Sequence, residues 1–352
     1  MNTKIVKPDP LKPEQKYIQE AAEVLIAGGL VIIPTETVYG IAANMLNKKT
    51  IERLYGIKKR PQDKPFSLHI DKKERMEESA RNIPVAAYKL ADKFWPGPLT
   101  MILRSKSQGT VGIRMPDNEI ALKIIELAKI PVVCPSANIS GRPPAINFEQ
   151  AIKDLDGLVD FAIDGGATRL GVESTVVALA VEPLQILREG AIKKEDIEVV
   201  TGKKIILFVC TGNSCRSVMA EEVLKKILQE KNRDDIEVLS AGIMRVGGLE
   251  VTEETRELLK DEGIDVSAHR SEKVTKEIIK KSDIILVMER SHEDHILQLA
   301  PEVKNRVFLL KEFAKINDNN LNISDPIGKS TEFYKQTFAT IKEAVERISK
   351  II

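Results

Sequence analysis

Cys210 and Arg216 bracket five residues in Cys210-Thr-Gly-Asn-Ser-Cys-Arg216-Ser217, directly after the apolar run Ile205-Ile-Leu-Phe-Val209. A strand that ends in such a loop and continues as a helix can turn its backbone N–H groups toward one oxyanion. The helix N-terminus at Ser217 adds partial positive charge. Thr211, Gly212, Asn213, Ser214 and Cys215 form the body of this cradle, with Gly212 allowing close backbone approach. The same field favours a thiolate at Cys210, because inward N–H groups, the helix dipole and the Arg216 guanidinium all stabilise negative sulfur. A planar guanidinium also grips two oxygens of a transferring phosphoryl group, which lysine does less well. Attack of sulfur on phosphorus needs a proton donor for the leaving group. Asp325 in Ser324-Asp-Pro326 is the candidate, since proline holds it outside regular helix.

The first half carries more scattered signals: Pro34-Thr-Glu-Thr-Val-Tyr-Gly40, Lys58-Lys-Arg-Pro61, Trp95-Pro-Gly-Pro-Leu-Thr100, Thr110-Val-Gly-Ile-Arg114, Pro135-Ser-Ala-Asn138, Gly171-Val-Glu-Ser-Thr175 and Leu187-Arg188. Together they offer the cations Lys58, Arg60, Arg114 and Arg188 beside the hydroxyls of Thr35, Ser136 and Ser174. Cations for phosphates, with hydroxyl and backbone groups for a small zwitterion, suit activation of an amino acid by a nucleotide. No Gly-x4-Gly-Lys-Ser/Thr loop is present, so the basic residues would hold the nucleotide. Cys134 reads as a core thiol.

The elements that must position these residues follow from periodicity. Residues Pro13 to Ala27 read as a helix with Ile18, Ala22 and Leu25 on one face, ended by Gly28-Gly29 and followed by a strand from Leu30 to Ile33. Mixed α and β segments continue to about Val181, and Gln185 to Gly190 reads as a last strand and turn. Lys193 to Lys204 is charged and poor in large apolar residues, which predicts a linker. After it come strand Ile205–Val209, helix Ser217–Glu230, strand Ile236–Leu239, helix Glu253–Glu262 and strand Ile284–Met288. This alternation predicts a doubly wound parallel sheet. A closing helix over about Glu332 to Lys350 puts Phe338, Ile341, Val345 and Ile348 on one apolar stripe.

The 352 residues suit two domains, 1–200 and 203–352. With 43% hydrophobic and 30% charged residues, and no apolar run long enough for a membrane span, the composition is that of a soluble protein. No apolar stretch at the start reads as a secretion signal, so the expected compartment is the cytoplasm. Three cysteines are too few, and odd in number, for a disulfide framework. Lys plus Arg total 53 against 52 for Asp plus Glu, so no global field draws the chain to nucleic acid. No spacing around His269, His292 or His295 predicts a metal site, and these read as structural or surface residues.

The second half resembles the low-molecular-weight protein tyrosine phosphatases from about Lys203 onward. The motifs are the Cys-x5-Arg-Ser loop, Ser240-Ala-Gly242, His269-Arg-Ser271, Ser282-Asp283 before a strand, and Asp325-Pro326. The resemblance implies Cys210 as nucleophile, Arg216 as transition-state clamp and Asp325 as acid and then base. It also implies that Asn213 and Ser240 brace the loop, that Ser217 assists the thiolate, and that no cofactor is used. Ser214 stands where tyrosine-specific members carry a bulky aliphatic residue, and Ile327-Gly328 replaces an aromatic pair. Both departures resemble the branch that includes protein arginine phosphatases, so the phosphorylated protein substrate is read as phosphotyrosine or phosphoarginine. Arsenate reductase relatives need two further cysteines that do not follow Cys215. Cys215 reads either as a thiol able to form a protective disulfide with Cys210 or as a plain buried one. A phosphate-reading binding domain is the rival class.

The first half resembles the threonylcarbamoyl-AMP synthase family, the YrdC-like fold with a mixed twisted sheet, over about Gln15 to Thr201. Members make threonylcarbamoyl-AMP and pyrophosphate from L-threonine, bicarbonate and ATP. The product feeds N6-threonylcarbamoylation of adenosine 37 in tRNA through downstream transfer proteins. The resemblance implies Thr35, His69, Arg114 and Ser174 on the threonine side, and Lys58, Arg60, Thr110, Ser136, Asn138 and Arg188 on the ATP side. Mg²⁺ would bridge the ATP phosphates. A non-catalytic RNA-binding module is the rival.

Overall fold

The computed structural model describes residues 2–9 and 13–352, which form two compact units, one up to Val200 and one from Thr201.

The first unit is built on ten strands: β1 Lys4–Val6, β2 Val31–Ile33, β3 Gly40–Asn44, β4 Leu68–His69, β5 Leu99–Arg104, β6 Thr110–Arg114, β7 Val132–Val133, β8 Phe161–Ile163, β9 Thr175–Ala178 and β10 Gln185–Arg188. They form one mixed sheet in the order β1-β8-β2-β3-β7-β4-β6-β5-β9-β10. The predicted first helix spans Gln15–Ile26, with Ile18, Ala22 and Leu25 fully buried against the Glu119–Ala128 helix and β2. Leu30 is buried but precedes β2, which opens at Val31.

At the centre of this sheet β4 and β7 pair over two residues only. The residues leading into β4, Pro65 to Ser67, and those leaving β7, Pro135 and Ser136, wall a cleft together with Arg114 at the C-terminal end of β6. Gly40 is required where β3 passes the end of β7, because an added Cβ would lie 2.3 Å from the Cys134 sulfur.

The stretch expected to be a linker contains the division between the two units, but it is helical and not irregular. Lys194–Gly202 is a helix, and Lys204 already opens the next strand. Ile197 is fully buried in the apolar cluster of Leu179 and Ile192, with Val200 packed beside it. Two apolar residues three apart behind an acidic first turn suffice for a docked helix, since that spacing puts them on one face and carboxylates favour the helix N-terminus.

The second unit has four parallel strands, β11 Lys204–Cys210, β12 Ile236–Gly242, β13 Ile284–Val287 and β14 Val307–Leu309, in the order β12-β11-β13-β14. Side chains of β11 alternate between two cores. Ile206, Phe208 and Cys210 face the helices Arg216–Glu230, Glu253–Asp261 and Thr331–Ile348, while Leu207 and Val209 face Lys276–Lys281 and Arg290–Leu299. This is the doubly wound arrangement, with Cys210 at the carboxyl end of a central strand. Phe338, Ile341, Val345 and Ile348 are all buried in the first of these cores. Strand β14, three residues long, escaped notice because so short a run carries little periodicity.

Candidate functional sites

In the first unit a cleft of about 270 Å³ is lined by Arg60, His69, Arg114, Ser136, Ser174 and Arg188 among others. Arg114 closes β6 and is 5% exposed. Its Nη2 donates to Glu36 Oε1 at 2.6 Å and Thr37 Oγ1 at 2.8 Å, while its Nε is buried without a hydrogen-bond partner. An unmade bond from a buried guanidinium is costly, which sets this donor apart from the other two contacts of Arg114. His69 on β4 lies beside Arg114 in parallel register. Burial, and secondarily the Arg114 charge, pushes His69 down to about 3, so its imidazole is neutral.

Ser174 shares a hydrogen bond with Thr100, Oγ to Oγ1 at 2.9 Å, and Arg188 donates through Nη2 to the Ser174 carbonyl at 2.9 Å. Arg188 Nη1 is paired with Glu173 at 2.7 Å. Arg60 lies over the Phe66 ring at 5.3 Å, and Phe66 stacks on Tyr55 at 4.3 Å.

Four other expected residues take different places. Lys58 is 2% exposed, and its ammonium donates to the Ser136 carbonyl at 2.6 Å and to the Asn138 carbonyl and Oδ1 at 2.8 and 3.0 Å. Its three N–H donors are consumed by the Ser136–Asn138 turn, and burial first, then the Arg60 charge, lowers it to about 8. Asn138 Oδ1 also accepts from Ser136 Oγ at 2.6 Å, outside the cleft lining. Thr35 Oγ1 donates to the Val38 carbonyl at 2.6 Å and accepts from the Thr37 and Val38 amides, so it shapes the turn that presents Glu36 and Thr37. Thr110 is exposed at the far end of β6, paired with Arg104, and does not line the cleft. Sequence reasoning passed over Glu36, Thr37, Thr100 and Glu173. All four lie inside motifs quoted above, and a polar residue inside such a motif was the available signal. Cys134 is buried, which pushes its thiol up to about 12.

In the second unit the Cys210–Arg216 loop folds back on Cys210 through the Asn213 amide and is tied to Arg216 at Thr211. Cys210 Sγ lies 3.0 Å from Ser217 Oγ and accepts from the Asn213 amide at 3.3 Å. Asn213 adopts φ 53°, and its side chain ties the loop together: Nδ2 donates to Ser217 Oγ at 3.0 Å and Ser240 Oγ at 2.6 Å, while Oδ1 accepts from the Glu272 amide at 2.7 Å. His269 Nε2 lies 3.0 Å from the Asn213 carbonyl. The loop's tightest backbone approach is at Gly242 on β12, not at Gly212. A Cβ on Gly242 would meet Gly212 C and Thr211 O at 2.9 Å and Asn213 N at 3.0 Å, whereas one on Gly212 would meet nothing closer than 3.4 Å.

Arg216 is 1% exposed, pairs with both Glu289 and Asp325, and donates to the Ile323 carbonyl at 2.8 Å and Thr211 Oγ1 at 3.1 Å. Asp325 therefore stands at the cradle, its Oδ1 fixed by the Ile327 amide at 3.1 Å. Ser214 is buried and its carbonyl accepts from the Thr252 amide at 3.1 Å. Cys215 Sγ sits behind the loop, 3.4 Å from Thr252 Oγ1. Glu289 and His292, which arrive from the end of β13 and the helix after it, were not expected here. His292 Nε2 lies 3.0 Å from Thr211 Oγ1, and burial, then the Arg216 charge, lowers the ring to about 4.

Residues 23–190 match the family described as Telomere recombination, which groups Sua5, YciO and YrdC. Residues 205–352 match the low molecular weight phosphotyrosine protein phosphatase family. A threonylcarbamoyl-AMP synthase of Pyrococcus abyssi is 44% identical over 200 residues, 54% of this chain and 58% of that protein. The chain thus spans under two thirds of that relative's length. The crystal structure of P. abyssi Sua5 complexed with L-threonine aligns at TM-score 0.55 and 29% identity, covering 87% of this chain and 99% of that one. A protein-arginine-phosphatase of Geobacillus stearothermophilus is 37% identical over 145 residues, 41% of this chain and 93% of that protein. With both matches falling on the motifs that build the two sites, the chain belongs to the Sua5/YciO/YrdC family in its first half and to the low-molecular-weight phosphotyrosine protein phosphatase family in its second.

Proposed function

We propose that the first unit makes threonylcarbamoyl-AMP and pyrophosphate from L-threonine, bicarbonate and ATP, supplying the N6-threonylcarbamoyl modification of tRNA through downstream transfer proteins. The observation that carries this reading is the buried, partly unpartnered Arg114 at the end of a cleft that also holds Arg60 and Arg188. Arg114 takes the threonine carboxylate, with neutral His69 and Ser174 beside it, and Glu36 and Thr37 hold the guanidinium in place. Arg60, Arg188 and Ser136 face the nucleotide. Lys58, Asn138 and Thr35 act by shaping the turns that carry these groups, and Thr110, at the far end of β6, takes no part in the cleft. Attack of the carbamate on the α-phosphorus breaks the bond to pyrophosphate, a step accelerated by positioning and charge neutralisation. Mg²⁺ would enter with the ATP phosphates that it bridges. Pyrophosphate release that requires both threonine and bicarbonate supports this reading. Its absence in an active preparation, with RNA bound in the cleft instead, would favour the binding module.

For the second unit we propose a protein phosphatase that forms a phosphocysteine. Convergence of Cys210, Arg216 and Asp325 on one loop carries this. Cys210 sulfur bonds to phosphorus as the bond to the leaving atom breaks, and Asp325 gives that atom its proton. Water then attacks phosphorus, sulfur leaves, and Asp325 takes the water's proton. Entry of the phosphoryl group replaces the Asp325 carboxylate at Arg216, which frees the carboxyl for this work. The small, buried Ser214 and the arginine-phosphatase relative favour phosphoarginine over phosphotyrosine. A panel of phosphoarginine, phosphotyrosine and phosphoserine peptides tests this, and preference for phosphotyrosine would reverse the choice.

A further inference from the structure

We propose that His292 is a positioning residue of the phosphatase cradle: it fixes Thr211 as a hydrogen-bond donor toward a bound phosphoryl group and helps hold Arg216 in place. The proposal rests on the phosphatase reading above.

A backbone group sets the polarity of this chain of hydrogen bonds. The Glu289 amide donates to His292 Nδ1 at 3.1 Å. A backbone N–H can only donate, so Nδ1 carries the lone pair and the hydrogen of the neutral ring is on Nε2. Nε2 lies 3.0 Å from Thr211 Oγ1, which therefore accepts. Arg216 Nη2, which can only donate, reaches the same oxygen at 3.1 Å. Both lone pairs of the Thr211 hydroxyl are then filled, and its own O–H finds no acceptor among the described residues. Thr211 is the second residue of the cradle and is partly exposed, so this hydrogen is available to an incoming oxyanion.

His292 is well placed to impose this polarity. It is 1% exposed, in the first turn of the Arg290–Leu299 helix. The Glu289 carboxylate accepts from the His292 backbone in a reciprocal cap, and the same carboxylate pairs with Arg216. One cap thus orients the imidazole and anchors the guanidinium. If the imidazole accepted at Nε2 instead, Thr211 would turn its hydrogen away from the cradle.

The test uses the full chain with p-nitrophenyl phosphate turnover and inorganic phosphate affinity as readouts. His292→Gln keeps a donor near the Nε2 position; His292→Asn keeps only the acceptor near Nδ1. We expect His292→Asn to lower kcat/KM and phosphate affinity about tenfold, and His292→Gln to stay within about threefold of wild type. On a Thr211→Val background, His292→Asn should add less than about a twofold loss, because the two residues act as one pathway. An equal loss on both backgrounds, or a folded His292→Gln as poor as His292→Asn, overturns the proposal. Should His292→Asn fail to fold, Thr211→Ser against Thr211→Val decides, and equal phosphate affinity in those two overturns it. Wild-type protein that binds phosphate but turns over no phosphorylated probe would sink the phosphatase reading, while the affinity comparisons still test His292.

Discussion

Glu36 and Lys58 are both buried charges, and each is explained by what it touches. Lys58 gives all its hydrogens to one turn, whereas Glu36 accepts from Arg114 at 2.6 Å and from the Asp117 amide at 3.1 Å. The Arg114–Glu36 pair is almost wholly inaccessible, with side chains 6% and 1% exposed. Removing one charge leaves the other buried and uncompensated. Glu36→Gln should therefore destabilise the first unit by about 3 kcal/mol and raise the KM for threonine, because Arg114 loses the group that aims it. Denaturant unfolding and pyrophosphate release check both, and an unchanged KM would show that Arg114 is aimed by Thr37 alone. None of this was visible in the residue string. Glu36 sat in view between Thr35 and Thr37, but which of the three would face a ligand depends on how the turn spends its hydroxyls.

At the scale of elements, the phosphate loop was legible because its parts are contiguous. A strand, a seven-residue loop from Cys210 to Arg216 and a helix N-terminus fall in sequence order, so local rules suffice. The supports come from elsewhere: Glu289 lies 73 residues beyond Arg216, and Gly242 reaches the loop through the pairing of β12 with β11. That pairing makes Gly242→Ala a sharp test. Its Cβ would press on three backbone atoms that have no side-chain freedom with which to move away. We expect a loss of about 1–3 kcal/mol in stability and at least a tenfold fall in phosphate affinity. Wild-type affinity in that variant would mean the loop is looser than its hydrogen bonds imply. That the stretch at the unit boundary is the helix Lys194–Gly202 was hidden for a related reason. Its single fully buried residue, Ile197, is invisible to an amphipathicity count yet sufficient to dock one short helix.

For the whole molecule, each unit contains one histidine that is buried neutral, His69 in the first and His292 in the second. Their folded values of about 3 and about 4 lie below the ordinary 6.5. An unfolded chain takes up a proton at each as pH falls below 6.5, while the folded one resists. Their contribution to stability is therefore full above pH 6.5, declines as pH is lowered, and levels off only below the folded values. At pH 5 each unit should have lost about 2 kcal/mol relative to pH 8 from this source. Unfolding of His69→Asn and His292→Gln proteins across this range should show a flatter acid limb, and an unaltered limb would assign acid sensitivity to the carboxylates. The two-unit division follows from the switch in alternation after the charged stretch, and the families matched on either side agree with the two distinct sheets. Among the described residues no helix is long and apolar enough to cross a membrane.

Cys210 is the proposed nucleophile of the phosphoryl-transfer site, and every other role proposed for the second unit depends on it. The most direct measurement is p-nitrophenyl phosphate hydrolysis by Cys210→Ser in the full chain, with folding checked by circular dichroism. We expect turnover to fall to background while inorganic phosphate still binds, since the Asn213 bracing and the Arg216 clamp are intact. Hydrolysis that persists in a folded Cys210→Ser protein would contradict the account.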